Sequence, residues 1–298
     1  MTHAIDDVLP YGIRPPGYRL PSAAHIGRVR LQVADIERSI RYYETIIGLQ
    51  VLSREGAVAT LGAGGAPLVE LHARRGAHSA AHRGHLGLYH FAILLPNREA
   101  LGRFMIHLAD DGVYAGMSDH LVSEALYLTD PDGLGIEVYA DRPRDAWRHR
   151  DRQLAMSSDP LDTKSLIAAA GAERWSGLPA GTVIGHVHLH VGDLNEAERF
   201  YHAGLGFDKV VWQYPGALFL SAGGYHHHLG TNTWAARAQS TSDDDARLID
   251  WEIVVPSESS VDEVAASLER MGYTAACRDG ALAARDPWGT SLRVVARR

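Results

Sequence analysis

The chain carries a single cysteine, Cys277, in 298 residues, so no intrachain disulfide framework can form. No apolar run approaches the roughly 18–20 residues that a membrane-spanning helix needs. Long basic runs are also missing, and the formal net charge is −7, which argues against nucleic acid as a partner. The opening stretch, MTHAIDDVLPYGIRPPGYRLP, has acids and prolines where a secretory signal would have a basic and then an apolar segment. The expectation is a semi-extended arm over residues 1–24 of a cytoplasmic protein.

What is present is ordinary for a globular chain, with 46 % apolar and 22 % charged residues. The length suits one large or two ordinary domains. Histidine is the exception, with 17 residues. Several are clustered, as HVHLH at 186–190 and HHH at 226–228.

Residues 118–137, SDHLVSEALYLTDPDGLGIE, concentrate chemistry in a short span. His120, Tyr127, an Asp-Pro-Asp-Gly turn at 130–133 and Glu137 sit at spacings set by two adjacent strands. That arrangement can bring an acid/base group and a metal-binding carboxylate into one pocket. Glu137 lies in an apolar run, GIEVYA, where a buried carboxylate costs several kcal/mol unless it is paired or metal-bound.

The chain also repeats itself. IGRVRLQVADIERSIRYYETIIGL at 26–49 matches IGHVHLHVGDLNEAERFYHAGLG at 184–206: an alternating strand, an Asp turn, a helix with a late Tyr, and a glycine stop. LYHFAILLPNREALGRFMIHLADDGV at 88–113 and LIDWEIVVPSESSVDEVAASLERMG at 248–272 share a strand, a Pro, a helix and a glycine stop. The offsets agree, at 158 residues from Arg28 to His186, 160 from His90 to Asp250 and 156 from Asp130 to Asp286. Helices capped by Asp, Asn or Ser and short strands with Gly-rich turns complete each unit. The pattern predicts an α+β fold of four βαβββ modules pairing into two cup-shaped sheets. Residues 25–140 hold the first module pair, a polar connector spans 141–183, and 184–298 hold the second pair.

The fourfold βαβββ pattern resembles the vicinal oxygen chelate superfamily of glyoxalases, fosfomycin-resistance proteins and type I extradiol dioxygenases, over about residues 25–297. Within it, His120, Leu126, Tyr127, Asp130, Pro131, Gly133 and Glu137 are similar to the extradiol ring-cleavage signature. Ser118 departs from it, where the family usually has Gly, Asn, Thr or an aliphatic residue. The whole chain looks most like two-domain bacterial catechol 2,3-dioxygenases.

That resemblance implies a metal held inside a cup, from the first and last strands of two modules. The corresponding first-strand positions are Arg28, His90, His186 and Asp250. The last-strand positions are Glu70 or a neighbour, Glu137, the 226–228 histidines and Arg293. The intact 2-His-1-carboxylate set is His90, Glu137 and His186, a facial triad suited to Fe(II) and also accepted by Mn(II). Its members come from modules two and three. The expectation is therefore a crossed pairing, two with three and one with four, with the one–four cup metal-free.

By the same resemblance, Tyr127 and His120 contact the substrate or the attacking oxygen. The resemblance also implies an acid/base His two residues before a small or apolar strand position, which HHHLG matches with His227; parity then puts His227 on the face of Leu229, although a one-residue bulge reverses this. His188, Asn232 and Trp234 are expected to line the substrate rim. The implied reaction inserts O2 into a catechol beside its vicinal hydroxyls, giving a muconic semialdehyde. Two rivals keep the fold. One is a metal-dependent glyoxalase-like isomerase or lyase, suggested by Glu70. The other is a non-catalytic small-molecule-binding resistance protein. The ring substituent and any homo-oligomer are left open.

Overall fold

A computed structural model describes residues 11–80, 84–278 and 280–297. The first module runs β1 (His25–Val33), α1 (Ile36–Tyr42), β2 (Gln50–Glu55), β3 (Val58–Ala63) and β4 (Ala66–Ala73). The second runs β5 (Gly87–Leu94), α2 (Arg98–Asp110), β6 (Gly116–Asp119), β7 (Ser123–Thr129) and β8 (Gly135–Asp141). The connector holds two-residue strands β9 (His149–Arg150) and β10 (Gln153–Leu154), then α3 (Thr163–Ala169). The third module is β11 (Val183–His190), α4 (Leu194–Ala197), β12 (Asp208–Val211), β13 (Ala217–Ser221) and β14 (Leu229–Asn232). The fourth is β15 (Arg247–Val255), α5 (Glu258–Arg270), β16 (Ala275–Arg278), β17 (Ala281–Arg285) and β18 (Ser291–Ala296).

Each module helix starts where a short polar side chain takes up free backbone N–H groups. Asp35 accepts from Glu37 and Arg38, Asn97 from Ala100, Asp193 from Asn195 and Glu196, and Ser257 from Ser260. The strands alternate between two environments. Val29, Leu31 and Val33 of β1, and Val187, Leu189 and Val191 after them in the repeat, enter one continuous core shared by both sheets. Their even-numbered neighbours face the other way. That parity puts Arg28 and Arg30 in one concave face, and His186 and His188 in the other.

The two eight-stranded sheets are crossed with respect to sequence. One has the order β12-β13-β14-β11-β5-β8-β7-β6, joining modules three and two. The other is β16-β17-β18-β15-β1-β4-β3-β2, joining modules four and one. At each centre two first strands run antiparallel, β11 with β5 and β15 with β1. The part of the N-terminal arm at residues 1–10 lies outside the described residues. From Tyr11 onward it is fastened to the two–three sheet: Ile13 pairs with Lys209, and Arg19 makes a salt bridge to Asp208.

The two modules of each half lie in different sheets, and a repeated hydrogen bond ties them. Helices α1 and α4 run on into π-helical turns, Tyr43–Ile47 and Glu198–Gly204. Tyr43 donates to Asp130 at 3.2 Å, and Tyr201 donates to Asp286 at 2.8 Å. Each aspartate also accepts two backbone N–H groups of its own turn. Burial outweighs these bonds at Asp130 and pushes its carboxyl up to about 6. Because the folded-state value lies above the unfolded one, its stabilising effect is full below about pH 3.8 and is lost as pH rises through about 6. The loss is on the order of 3 kcal/mol. Asp130→Asn keeps the shape without the charge. Denaturant unfolding from pH 4 to 8 should therefore show the variant gaining on the parent as pH rises; a constant difference would contradict this.

Candidate metal centre

The crossed sheet brings β5, β8 and β11 side by side. Ala92 pairs with Glu137 on one side and with His186 on the other, while His90 faces His188. The side chains of His90, Glu137 and His186 thus meet on the concave face, all buried. One donor atom from each lies within 4.8 Å of the others, the one such cluster found among the described residues. His90 Nε2 stands 3.0 Å, and His186 Nε2 3.1 Å, from the same Glu137 Oε2. Yet His90 Nε2 makes no aligned hydrogen bond at that distance. His186 Nε2 is in hydrogen-bond geometry to that oxygen, so one ring is paired with the carboxylate and the other stands beside it unpaired. An octahedral ion with bonds of roughly 2.1 Å would hold adjacent donors about 3.0 Å apart, so the spacing fits a bound divalent metal.

The protonation states agree. Burial pulls His186 down to about 4, leaving it neutral at pH 7. Burial would raise Glu137, but His186 and His90 hold its carboxyl well below the usual range. The pull of a charged His186 on Glu137 does not operate at neutral pH, where His186 has lost its proton; its hydrogen bond to the carboxylate is the part that persists. An ionised carboxylate beside a neutral His186 imidazole is the state that metal ligation requires.

A cavity of about 220 Å³ opens beside these donors. His120, Tyr127, His188, His227 and Trp234 all line it. His120 Nδ1 bonds the Ser157 carbonyl at 2.6 Å, which fixes the proton there. Its Nε2 then accepts from the Tyr127 hydroxyl, also at 2.6 Å. Burial, reinforced by Glu137, lifts Tyr127 well above its ordinary value, so it stays a protonated donor. Asn232 is not among the lining residues. Its amide joins His188 at 3.0 Å and His190 at 2.7 Å, so it acts on the cavity through His188.

The 226–228 triplet precedes β14, which starts at Leu229. Strand parity therefore does not apply to it, and a turn directs His227 to the cavity, 4.0 Å ring to ring from His186. His226 lies behind. Its Nε2 donates to Asp141 at 2.8 Å, so its Nδ1 accepts from His227 Nδ1 at 2.7 Å. This chain fixes His227 as the tautomer with a free Nε2 acceptor. Burial pushes His227 well below its ordinary value, which keeps it neutral.

Several contributors had no signal in the sequence. Met156, Ser157 and Ser158 of the connector lie along the cavity, and Asp159 bridges to Asp119 at the end of β6. Tyr89 would face away from His90 in a regular strand. A β-bulge between β5 and β11 leaves it unpaired and turns it into the cavity. Tyr214, Phe219 and Trp234 add aromatic wall. Glu70 sits in the other sheet, bonded to His72 and near Arg28 and Arg30, far from this carboxylate in the topology.

The comparisons with known proteins agree with this architecture. The family model described as Glyoxalase/Bleomycin resistance protein/Dioxygenase superfamily matches residues 25–138 and 183–291. A Bacillus subtilis (strain 168) protein named catechol-2,3-dioxygenase is 44 % identical over 268 residues, covering 88 % of this chain and 94 % of the relative. A crystal structure of a Bacillus subtilis subsp. subtilis strain 168 protein superposes with a TM-score of 0.64 at 12 % identity, covering 94 % of this chain and 86 % of the other. Glyoxalase I from Zea mays gives a TM-score of 0.55 at 18 % identity over 92 % of each chain. These two structural matches speak to the fold alone. The sequence match, with the four modules, shows that the chain belongs to the Glyoxalase/Bleomycin resistance protein/Dioxygenase superfamily.

Proposed function

We propose that this protein is an extradiol ring-cleaving dioxygenase that uses Fe(II), or Mn(II) in its place, held by His90, Glu137 and His186. The observation that carries the reading is the convergence of two imidazoles and one carboxylate beside a small aromatic-walled cavity. The 44 % identical relative named catechol-2,3-dioxygenase supports it. A bound divalent metal would supply Lewis acidity toward two adjacent hydroxyls and open positions for them and O2.

The chain's own residues supply the rest. Tyr89, Phe219 and Trp234 offer apolar faces on which a catechol ring can lie. His227 Nε2 can take a hydroxyl proton and return it later in the reaction. The Tyr127 hydroxyl gives its one proton to His120 Nε2, so its oxygen can accept a hydrogen bond from a catechol hydroxyl. Asn232 holds His188 at the rim. The product class is a muconic semialdehyde. The isomerase reading would call for a second carboxylate among the ligands, and the cluster here contains one.

Fe(II) reconstitution without oxygen, followed by a panel of catechols, tests the proposal through a yellow ring-fission product. Asp141 has a positioning role. Asp141→Ala should lower kcat about 10- to 100-fold, the worth of a hydrogen bond to a charged group, with metal content unchanged. A loss of metal instead would place Asp141 with the ligands.

A further inference from the structure

The one–four cup repeats the geometry of the two–three cup with its charges exchanged. Asp250 faces Arg30 across β15 and β1, as His90 faces His188. Arg293 lies beside Glu252 in β18, as Glu137 lies beside Ala92 in β8. Even the bulge recurs, with Ile249 unpaired where Tyr89 is in the other sheet. The concave face has thus been kept while its metal-ligating positions became Arg28, Asp250 and Arg293.

The charges of this cup divide into two sets. On the module-one side the arginines are already held by carboxylates, Glu70 among them. Arg30 donates to Asp250 and Glu252, both at 2.6 Å, and Arg28 donates to Glu252 at 3.1 Å. On the module-four side a cavity of about 790 Å³ is lined by Arg247, Arg278, Arg285 and Arg293. Among the described residues Asp250 is the one acid lining it, and Arg30 already holds that carboxylate. Arg247 has a partner in Asp243, at 2.7 Å. Among the described residues Arg285 and Arg293 have none, and the Nε atoms of both Arg247 and Arg293 are buried without a hydrogen bond. Arg293 pairs with Ala283, and Arg285 pairs with Ser291, so the two arginines are diagonal neighbours over small side chains. Like charges at that spacing repel, and a buried guanidinium N–H without an acceptor carries its desolvation cost uncompensated. An oxyanion lying between them would satisfy both, because guanidinium groups grip carboxylate or phosphate oxygens in pairs.

We infer that the one–four cup is a binding site for a small oxyanionic molecule, a carboxylate or a phosphate, held between Arg285 and Arg293 with Arg247 at its edge. The site is separate from the metal centre, since it is built on the other sheet. Its physical logic is a duplicated cup in which arginines stand at two of the three positions that hold metal ligands in the other.

Isothermal titration calorimetry on the full-length, metal-loaded protein at low ionic strength tests this, with inorganic phosphate in one arm and succinate in the other. Saturable one-site binding of at least one probe is expected, and the stronger arm assigns the anion class. The Arg285→Ala/Arg293→Ala double variant should bind at least 10-fold more weakly. Arg150→Ala, on a side chain exposed to solvent in the connector, should bind as the parent does. If the double variant does not fold, Arg285→Ala alone decides, since Arg285 is exposed and its removal leaves the core untouched. Absence of saturable binding in both arms would overturn the inference. Equal binding by the folded arginine variants would also overturn it.

Discussion

His186→Ala is expected to leave a folded protein that no longer retains metal. The imidazole lies on the concave face, while its neighbour Val187 anchors β11 in the core. Removing it takes away one of the two rings that converge on Glu137 Oε2. Losing one of three ligands should weaken metal binding by roughly 10²–10³-fold, which corresponds to about 3–4 kcal/mol. Ring cleavage should fall with it. Elemental analysis after desalting reads the metal, and a melting curve reads the fold. Arg28→Ala is the matched control, because Arg28 holds the equivalent repeat position in the other cup; it should keep both metal and activity. Parity between the two variants would contradict the crossed assignment.

His227→Ala should separate metal from turnover. His227 is not one of the three converging donors, so metal content should match the parent. Its Nε2 is the acceptor left free by the Asp141–His226–His227 chain. General acid–base groups contribute about 10²–10⁴-fold, and kcat should drop by that amount. Steady-state kinetics at saturating catechol, paired with metal analysis of the same sample, makes the distinction. A variant with full metal and unchanged kcat would remove His227 from the proton-transfer role.

The readable parts of the molecule were those governed by local repetition. Offsets of nearly the same length between the halves expose the four modules, and the ligand inventory on top of them leads to the crossed pairing. The reason is physical: Arg28 and Arg293 cannot ligate a cation, so sequential pairing would strand the carboxylate and the second histidine in different cups. The Asp-Pro-Asp-Gly turn was equally legible, because its aspartate binds backbone two and four residues on. What stayed hidden depends on distant contacts. Ser157 reaches His120 through a backbone carbonyl, which leaves no trace in side-chain identity. Tyr89 enters the cavity through a bulge, which breaks the alternation that parity relies on. The histidine triplet adopts a turn before its strand begins, so its orientation follows from Asp141, a residue 85 positions away.

The most direct measurement is oxygen consumption by the Fe(II)-loaded protein on addition of a limiting amount of catechol. The expected result is one O2 consumed per catechol, with a yellow product appearing in step, and neither in His186→Ala. No catechol-dependent uptake in the parent, or equal uptake in His186→Ala, would contradict a ring-cleaving metal centre built from modules two and three.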